Sequence, residues 1–457
     1  MKALIIASGR GKRIKNFFSP KPLIPLLGLT LIERVILTAK KAGIKDFFIV
    51  VGYLKEKIKE SLGKGEKYGV NIEYIDNDEW EKENGVSVLK ASPFLKENFI
   101  LLMADHIFDY RILLELKKQK LEEGGILCID KNPKEYIDLN DATKVKLKNG
   151  YIENIGKGLK EWDGIDTGIF LLSPAIFDAL KEAVKESKTT LSEGIKILSK
   201  TEKVRGLDIN NNFWIDIDTE KELRIAQREL LLETGKITDG VISRKLNRPL
   251  SRFLTKFLVK TKLTPNMISF ISFIFASLAA FLFSLGGYLN TFIAGLITQF
   301  SSIIDGCDGE VAKLKFQESE YGGWLDACLD RYADALLILG ICLGLSKISF
   351  SLNIWIVGFF ALIGSFMNSY TATKYDALFK EKKVKPKVRV GRDLRYFIIM
   401  LGAIVNKLFP TLFILALITN AETIRRIYVF KKKVKIKIQE FSLRDSFKNV
   451  KISRILK

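Results

Sequence analysis

Four aspartates, Asp305, Asp308, Asp326 and Asp330, stand at a spacing suited to work on phosphate. Residues three or four apart share one face of a helix. One helix would carry Asp305 and Asp308 and the next Asp326 and Asp330, so two helices can aim four carboxylates at one point. The flanking sequence is apolar, with no charged residue from Leu263 to Ile304. Carboxylates in or near a bilayer are costly and need a metal or a basic group as partner. Gly309 and Gly322 leave room for backbone to approach a ligand closely. A second set of such residues lies at the other end of the chain. Ser8-Gly9-Arg10-Gly11-Lys12-Arg13 is a basic glycine loop after the apolar run Lys2–Ala7, and Pro20-Lys21-Pro22 then holds a lysine rigidly. Backbone N–H groups of such a loop can cradle phosphate; a tight turn with a basic flank is the plainer reading. Asp105 ends another apolar run, and Asp216 and Asp218 follow late in the same half.

The elements that must carry these residues differ between the halves. Apolar runs at 2–7, 47–51, 99–103, 126–129 and 168–172 alternate with amphipathic stretches at 31–42 and 110–121. That alternation predicts an open α/β sheet with ligands at the carboxyl ends of its strands. Apolar spans at 267–286, 291–308, 328–346, 352–373, 394–408 and 411–428 predict six transmembrane helices. Gly286-Gly287, Asn290, Lys347 and Pro410 mark the outer turns. Before the first span, Leu246, Leu250, Phe253, Leu254, Phe257 and Leu258 repeat at helical spacing among basic residues, as in a helix lying among headgroups, with a kink at Pro249. The expected organisation is a soluble domain over 1–232, a linker and juxtamembrane helix over 233–262, a membrane domain over 263–430 and a basic tail over 431–457.

Charge sets the orientation. The chain of 457 residues has a net charge of +21. Much of the excess lies at 244–262, 380–392 and 425–457, beside apolar spans. This placement points to anionic lipid rather than nucleic acid and puts both termini and both sites on the cytoplasmic side of a multi-pass cell-membrane protein. Met1 leads straight into a buried-strand pattern, so no secretory leader is expected. The four cysteines have no zinc spacing, and His106 is the only histidine. The wealth of Lys and Glu resembles a hyperthermophile composition.

The stretch from Ala7 to Leu23 resembles the nucleotidyltransferase family that makes nucleotide-activated sugars and alcohols, which implies a Rossmann-like domain with a mixed sheet. The resemblance implies that Ala7, Ser8, Gly9 and Gly11 cradle the triphosphate, and that Arg13 and Lys21 stabilise charge on the attacked phosphoryl group. It further implies Mg²⁺ (or Mn²⁺) held by Asp105 and Asp216, with Asp218 the rival for the second place. Asn84 and Ser87 fall where that family touches base and ribose, and Lys157 where it binds the acceptor phosphate; an ordinary surface role for Lys157 is the alternative. Ser8 replaces the more usual glycine or alanine.

The stretch from Asp305 to Asp330 resembles the CDP-alcohol phosphatidyltransferase family, D-x2-D-G-x2-A-R-x8-G-x3-D-x3-D, with Lys313 in place of the usual arginine. The resemblance implies Mg²⁺ or Mn²⁺ on Asp305, Asp308, Asp326 and Asp330, nucleotide contacts at Gly309, Lys313 and Gly322, and Asp330 as the base that deprotonates the attacking hydroxyl. Such domains are often dimeric. The all-α second half would consume a CDP-alcohol, so the first half should use CTP. Fusions of this kind resemble enzymes of hyperthermophiles that make CDP-inositol from CTP and inositol-1-phosphate and join it to a second inositol-1-phosphate. Transfer of a headgroup to a lipid acceptor is the alternative.

Overall fold

The computed structural model describes residues 1–11, 19–121, 123–236, 239–379 and 390–455, with backbone alone over 375–379 and 432–455. It divides into two compact units, Met1–Leu232 and Glu233–Lys457.

The first unit is built on a nine-stranded sheet. Its order is Asn71–Asp76, Asp46–Val51, Lys2–Ala7, Phe99–Met103, Gly164–Leu172, Gly125–Asp130, Val204–Asp208, Tyr151–Gly156, Lys144–Lys148. The first four strands are parallel. Gly164–Leu172 runs antiparallel to both its neighbours, which makes the sheet mixed. Five consecutive residues of Lys2–Ala7 are buried because the strand is central and covered on both faces. One face packs Ile5, Phe47 and Leu102 against Ile32, Ile36 and Leu113. The other packs Leu4, Phe99 and Phe170 against Phe177 and Leu180. The helix Leu31–Lys41 begins with a reciprocal cap, in which Glu33 N–H donates to Thr30 Oγ1 and Thr30 N–H donates to the Glu33 carboxylate.

A small antiparallel ribbon decides where the late acids go. His106–Phe108 pairs with Trp214–Asp216, and the register sets Asp216 opposite His106. Residues 110 apart in sequence are thereby neighbours.

The second unit is all helix: Pro265–Leu285, Tyr288–Leu314, Glu320–Ile348, Leu352–Phe379, Arg392–Ile404 and Leu408–Ile455 follow the juxtamembrane helix Arg248–Leu258. Three stretches, Pro265–Leu285, Leu352–Lys374 and Leu408–Lys431, are long and apolar enough to cross a membrane. Tyr288–Leu314 and Glu320–Ile348 are long but carry the acids, and Arg392–Ile404, with 13 residues, reaches only about 20 Å. Outward faces present Phe270, Phe281, Leu289, Phe359 and Leu417, as a lipid-facing surface requires. Helices approach closely through glycine: a Cβ on Gly340 would lie 2.2 Å from the Ala280 carbonyl oxygen, and one on Gly344 2.1 Å from that of Phe283.

One local expectation changes. The turn expected at Pro410 lies at 405–407, where Asn406 is left-handed (φ 53°). Pro410 itself falls in the first turn of the following helix, where its missing N–H costs no helical bond. Pro249 follows a π-helical turn at Ser243–Asn247 that runs directly into Arg248–Leu258.

Candidate functional site

The first cleft, of about 400 Å³, opens at the carboxyl end of Lys2–Ala7 and Phe99–Met103. Ser8, Gly9, Asn84, Ser87, Asp105, His106, Lys157, Asp216 and Asp218 line it. Gly11 is left-handed (φ +65°), and a Cβ there would lie 2.5 Å from that of Lys21. The glycine therefore lets the Lys21 side chain pass. Lys21 is buried, and its Nζ donates to Asp105 Oδ2 (2.5 Å) and Asp218 Oδ1 (2.6 Å), with Asp216 Oδ1 at 3.8 Å. Burial alone would lower the Lys21 ammonium pKa, but the three carboxylates raise it well above the ordinary value. Burial would raise Asp105, but Lys21 and His106 hold it far below the usual carboxylate range. Burial pushes Asp216 up to about 6. His106, against which burial works, is carried by Asp216 and Asp105 to about 9.

The structure separates the two late acids. Ligand atoms of Asp105, His106 and Asp216 lie within 4.8 Å of one another. Asp216 Oδ1 is buried without a hydrogen-bond partner, while Asp218 is held by Lys21. A buried orphan carboxylate oxygen beside the Asp105 carboxylate suits a hard divalent cation. The sole histidine, His106, has its Nδ1 3.0 Å from Asp105 Oδ1, inside the acid group.

The other expected contacts are distributed unevenly. Ser8 Oγ and Ser87 Oγ are hydrogen-bonded (2.7 Å), and Asn77 Nδ2 donates to Ser87 Oγ. These two serines brace the loop against the helix Asn84–Leu89. Asn84 Oδ1 accepts from Leu191 N–H, and the residue lines the cleft. Lys157 is half-exposed and paired with Asp141. Ala7 is buried within its strand, in register with Val51. Arg13 lies outside the described residues. Trp80, Tyr136 and Asp138 also line the cleft; their positions in the sequence carry no motif that marks them.

The second cleft, of about 370 Å³, lies wholly in the second unit. Carboxylate oxygens of Asp305, Asp308 and Asp326 lie within 4.8 Å of one another. Ser269 Oγ and Gly309 N–H donate to Asp308. Three hard oxygen donors from two helices suit a divalent cation. Asp330 stands apart from this trio: Arg392 Nη1 donates to it and, at 2.6 Å, to Asp305 Oδ1. Arg392 is fixed by Tyr396, whose hydroxyl accepts from Nη2 (3.0 Å) and whose ring lies 4.6 Å from the guanidinium. In the sequence Arg392 was one residue of the basic cluster at 380–392; Lys382, Lys383, Lys385, Lys387 and Arg389 of that cluster lie outside the described residues. Gly309 lines the cleft and faces open space. Gly322 does not line it; a Cβ there would meet Asn266 Oδ1 and Ser319 Oγ at 3.0 Å. Lys313, expected at the nucleotide, instead donates to the Thr234 carbonyl (2.8 Å) and is not part of the lining.

Comparison with known proteins accounts for both clefts. The nucleotidyl transferase family matches residues 2–232, and the CDP-alcohol phosphatidyltransferase family matches residues 262–428. A protein of Aquifex aeolicus (strain VF5) called bifunctional IPC transferase and DIPP synthase is 36% identical over 442 residues, covering 94% of this chain and 98% of its own length. The chain belongs to the bifunctional IPC transferase and DIPP synthase family. A member from Rubrobacter xylanophilus is 33% identical, covering 94% of this chain and 96% of that protein. The archaetidylinositol phosphate synthase of Pyrococcus horikoshii is 31% identical and covers 38% of this chain and 87% of its own length. As a family member the chain is a bifunctional transferase, with one transferase domain around each cleft and the second domain of membrane type.

Proposed function

We propose that the first cleft converts CTP and inositol-1-phosphate to CDP-inositol and pyrophosphate. The second cleft then transfers the inositol phosphoryl group of CDP-inositol to a second inositol-1-phosphate and releases CMP. The observation that carries this reading is the presence in one chain of two separate acid groups, one beside Lys21 and one beside Arg392, under the two matched families. The near full-length relatives carry the corresponding name.

In the first step the phosphate oxygen of inositol-1-phosphate forms a bond to the α-phosphorus of CTP, and the bond to pyrophosphate breaks. The attacking oxygen is already anionic, so no base is required. Lys21 is buried, charged and set among the acids, where it stabilises charge developing on the phosphoryl oxygens. Asp105 and Asp216 would hold Mg²⁺ or Mn²⁺, which supplies charge neutralisation between nucleotide and acceptor phosphates.

In the second step a hydroxyl of the acceptor attacks the phosphorus that carries the inositol. The P–O bond to CMP breaks, and Asp330 takes the hydroxyl proton. Arg392 orients Asp330. Asp305, Asp308 and Asp326 would hold the divalent cation that stabilises the leaving CMP. Both clefts are assigned to the cytoplasmic side of the membrane, where CTP is found, and lipid surrounds the apolar helices.

A lipid acceptor is the second reading, favoured by the Pyrococcus relative, which covers 38% of this chain. One experiment separates them. The purified chain is given CTP, a divalent cation and a panel of alcohol phosphates, with and without archaeal lipid alcohols, and products are identified by mass spectrometry. CDP-inositol followed by a water-soluble phosphorylated di-inositol supports the proposal. A lipid-linked product without the soluble one overturns it in favour of the second reading.

A further inference from the structure

The wall of the second cleft includes Asp239, Gly240, Ser243, Asn247, Arg248 and Ser251. All precede residue 262, where the match to the CDP-alcohol phosphatidyltransferase family begins. In the sequence they read as linker and headgroup helix. Yet Arg248, Ser251 and Thr255 are buried, while Leu250, Phe253 and Phe257 on the same helix are exposed. The buried face is thus the polar one. Three of its side chains converge on Glu310, which has no exposed surface. Glu310 accepts from Arg248 Nη1 (2.9 Å), Ser251 Oγ (2.7 Å) and Thr255 Oγ1 (2.8 Å). Arg248 also pairs with Asp239 at 2.9 Å. A buried carboxylate is tolerated only when it is paired and hydrogen-bonded in this way.

Glu310 is two residues from Asp308 and five from Asp305 on the same helix. Turning or sliding that helix enough to move the two aspartates would break all three bonds. The same segment reaches the opposite side of the cleft. Ser243 N–H donates to Asp393 Oδ2 (2.8 Å), and Asp393 adjoins Arg392, which grips Asp305 and Asp330. Asn247 adds bonds to Gln299 and Ser302, also on the helix of Asp305. The π-helical turn at Ser243–Asn247 lies where these contacts converge, as such turns often do at functional sites.

We propose that the segment 239–255 is a working wall of the second active site, and that Glu310, through Arg248, Ser251 and Thr255, is the positioning residue that sets the cation-binding geometry of Asp305 and Asp308. The proposal rests on the reading of the second cleft as the phosphotransferase site. Partners that orient metal ligands typically change metal affinity on the order of 10- to 100-fold when removed.

The test uses the full chain with Glu310→Gln, which keeps the size of the side chain and removes its charge, and the double variant Ser251→Ala with Thr255→Val, which leaves the Arg248–Glu310 pair in place. Three quantities are read: cytidylyl transfer, the cation dependence of CMP release from supplied CDP-inositol, and Mn²⁺ binding by electron paramagnetic resonance in an Asp105→Asn background that silences the first site. The expected result for Glu310→Gln is unchanged cytidylyl transfer, a CMP-release half-saturation for cation raised about tenfold or more, and weaker Mn²⁺ binding to match. The double variant should shift in the same direction by less. Wild-type cation dependence and Mn²⁺ binding in a folded Glu310→Gln chain overturn the proposal, even if its melting temperature falls, because a mere brace would change stability alone. If Glu310→Gln does not fold, unchanged Mn²⁺ binding in the double variant overturns it. Wild-type chain that binds Mn²⁺ but releases no CMP from CDP-inositol counts against the functional reading and leaves the Mn²⁺ comparison to judge the positioning role.

Discussion

Gly11 and Lys21 occupy the same space: a Cβ on Gly11 would fall 2.5 Å from the Lys21 Cβ, with Gly11 already at φ +65°. Only glycine satisfies both the left-handed backbone and the passage of the lysine. Gly11→Ala should therefore displace Lys21 from Asp105 and Asp218. Cytidylyl transfer should fall about 10²- to 10³-fold, the loss expected for one preorganised charge contact. CMP release from supplied CDP-inositol should be unchanged. Parallel assays of pyrophosphate and CMP release on the one variant check both halves of the statement.

Asp216 and Asp218 should differ in kind. Asp216 Oδ1 has no hydrogen-bond partner, whereas Asp218 is held by Lys21. Asp216→Asn should raise the Mg²⁺ concentration needed for half-maximal cytidylyl transfer on the order of tenfold or more. Asp218→Asn should lower the maximal rate with little change in that concentration. The reverse pattern in Mg²⁺ titrations would exchange the two roles.

Asp330→Asn tests the base. Asparagine retains a carbonyl oxygen that Arg392 can bond, but it cannot take a proton. CDP-inositol should still bind in the presence of divalent cation while turnover drops about 10²- to 10⁴-fold, the usual reach of general-base catalysis. Near-normal turnover would falsify the base assignment. A fall in cation affinity together with turnover would instead make Asp330 a ligand.

Residues 1–232 form a compact unit with its own buried clusters on both faces of the sheet. Expressed alone, this fragment should be soluble and should make CDP-inositol from CTP and inositol-1-phosphate with Mg²⁺. A folded fragment active only with ATP or GTP would remove the CTP assignment.

Some elements were legible from local pattern and others were not. Lys2–Ala7 and Phe99–Met103 are central strands, and burial on both faces writes them as continuous apolar runs. Lys144–Lys148 and Tyr151–Gly156 are the last two strands in the sheet order and are only partly buried; their lysines and asparagine hide the strand signal. The helices Pro265–Leu285, Leu352–Phe379 and Leu408–Ile455 were readable because crossing a membrane demands a long apolar stretch. Their ends were less so: Pro410 signals a boundary, but its tolerance in a first helical turn leaves the turn itself at 405–407.

The sequence by itself determined the two halves, their fold classes, and the pairing of Asp305 with Asp308 and of Asp326 with Asp330. These follow from composition and from the 3.6-residue repeat of a helix, both of which are local. Only the tertiary structure decided that Asp216 rather than Asp218 joins Asp105 and His106, that Arg392 bridges Asp305 and Asp330 across 87 and 62 residues, and that the polar face of Arg248–Leu258 turns inward to Glu310. Each of these depends on strand register or on the angle at which two helices cross. Register and crossing angle are set by packing over the whole domain, so no spacing along the chain records them.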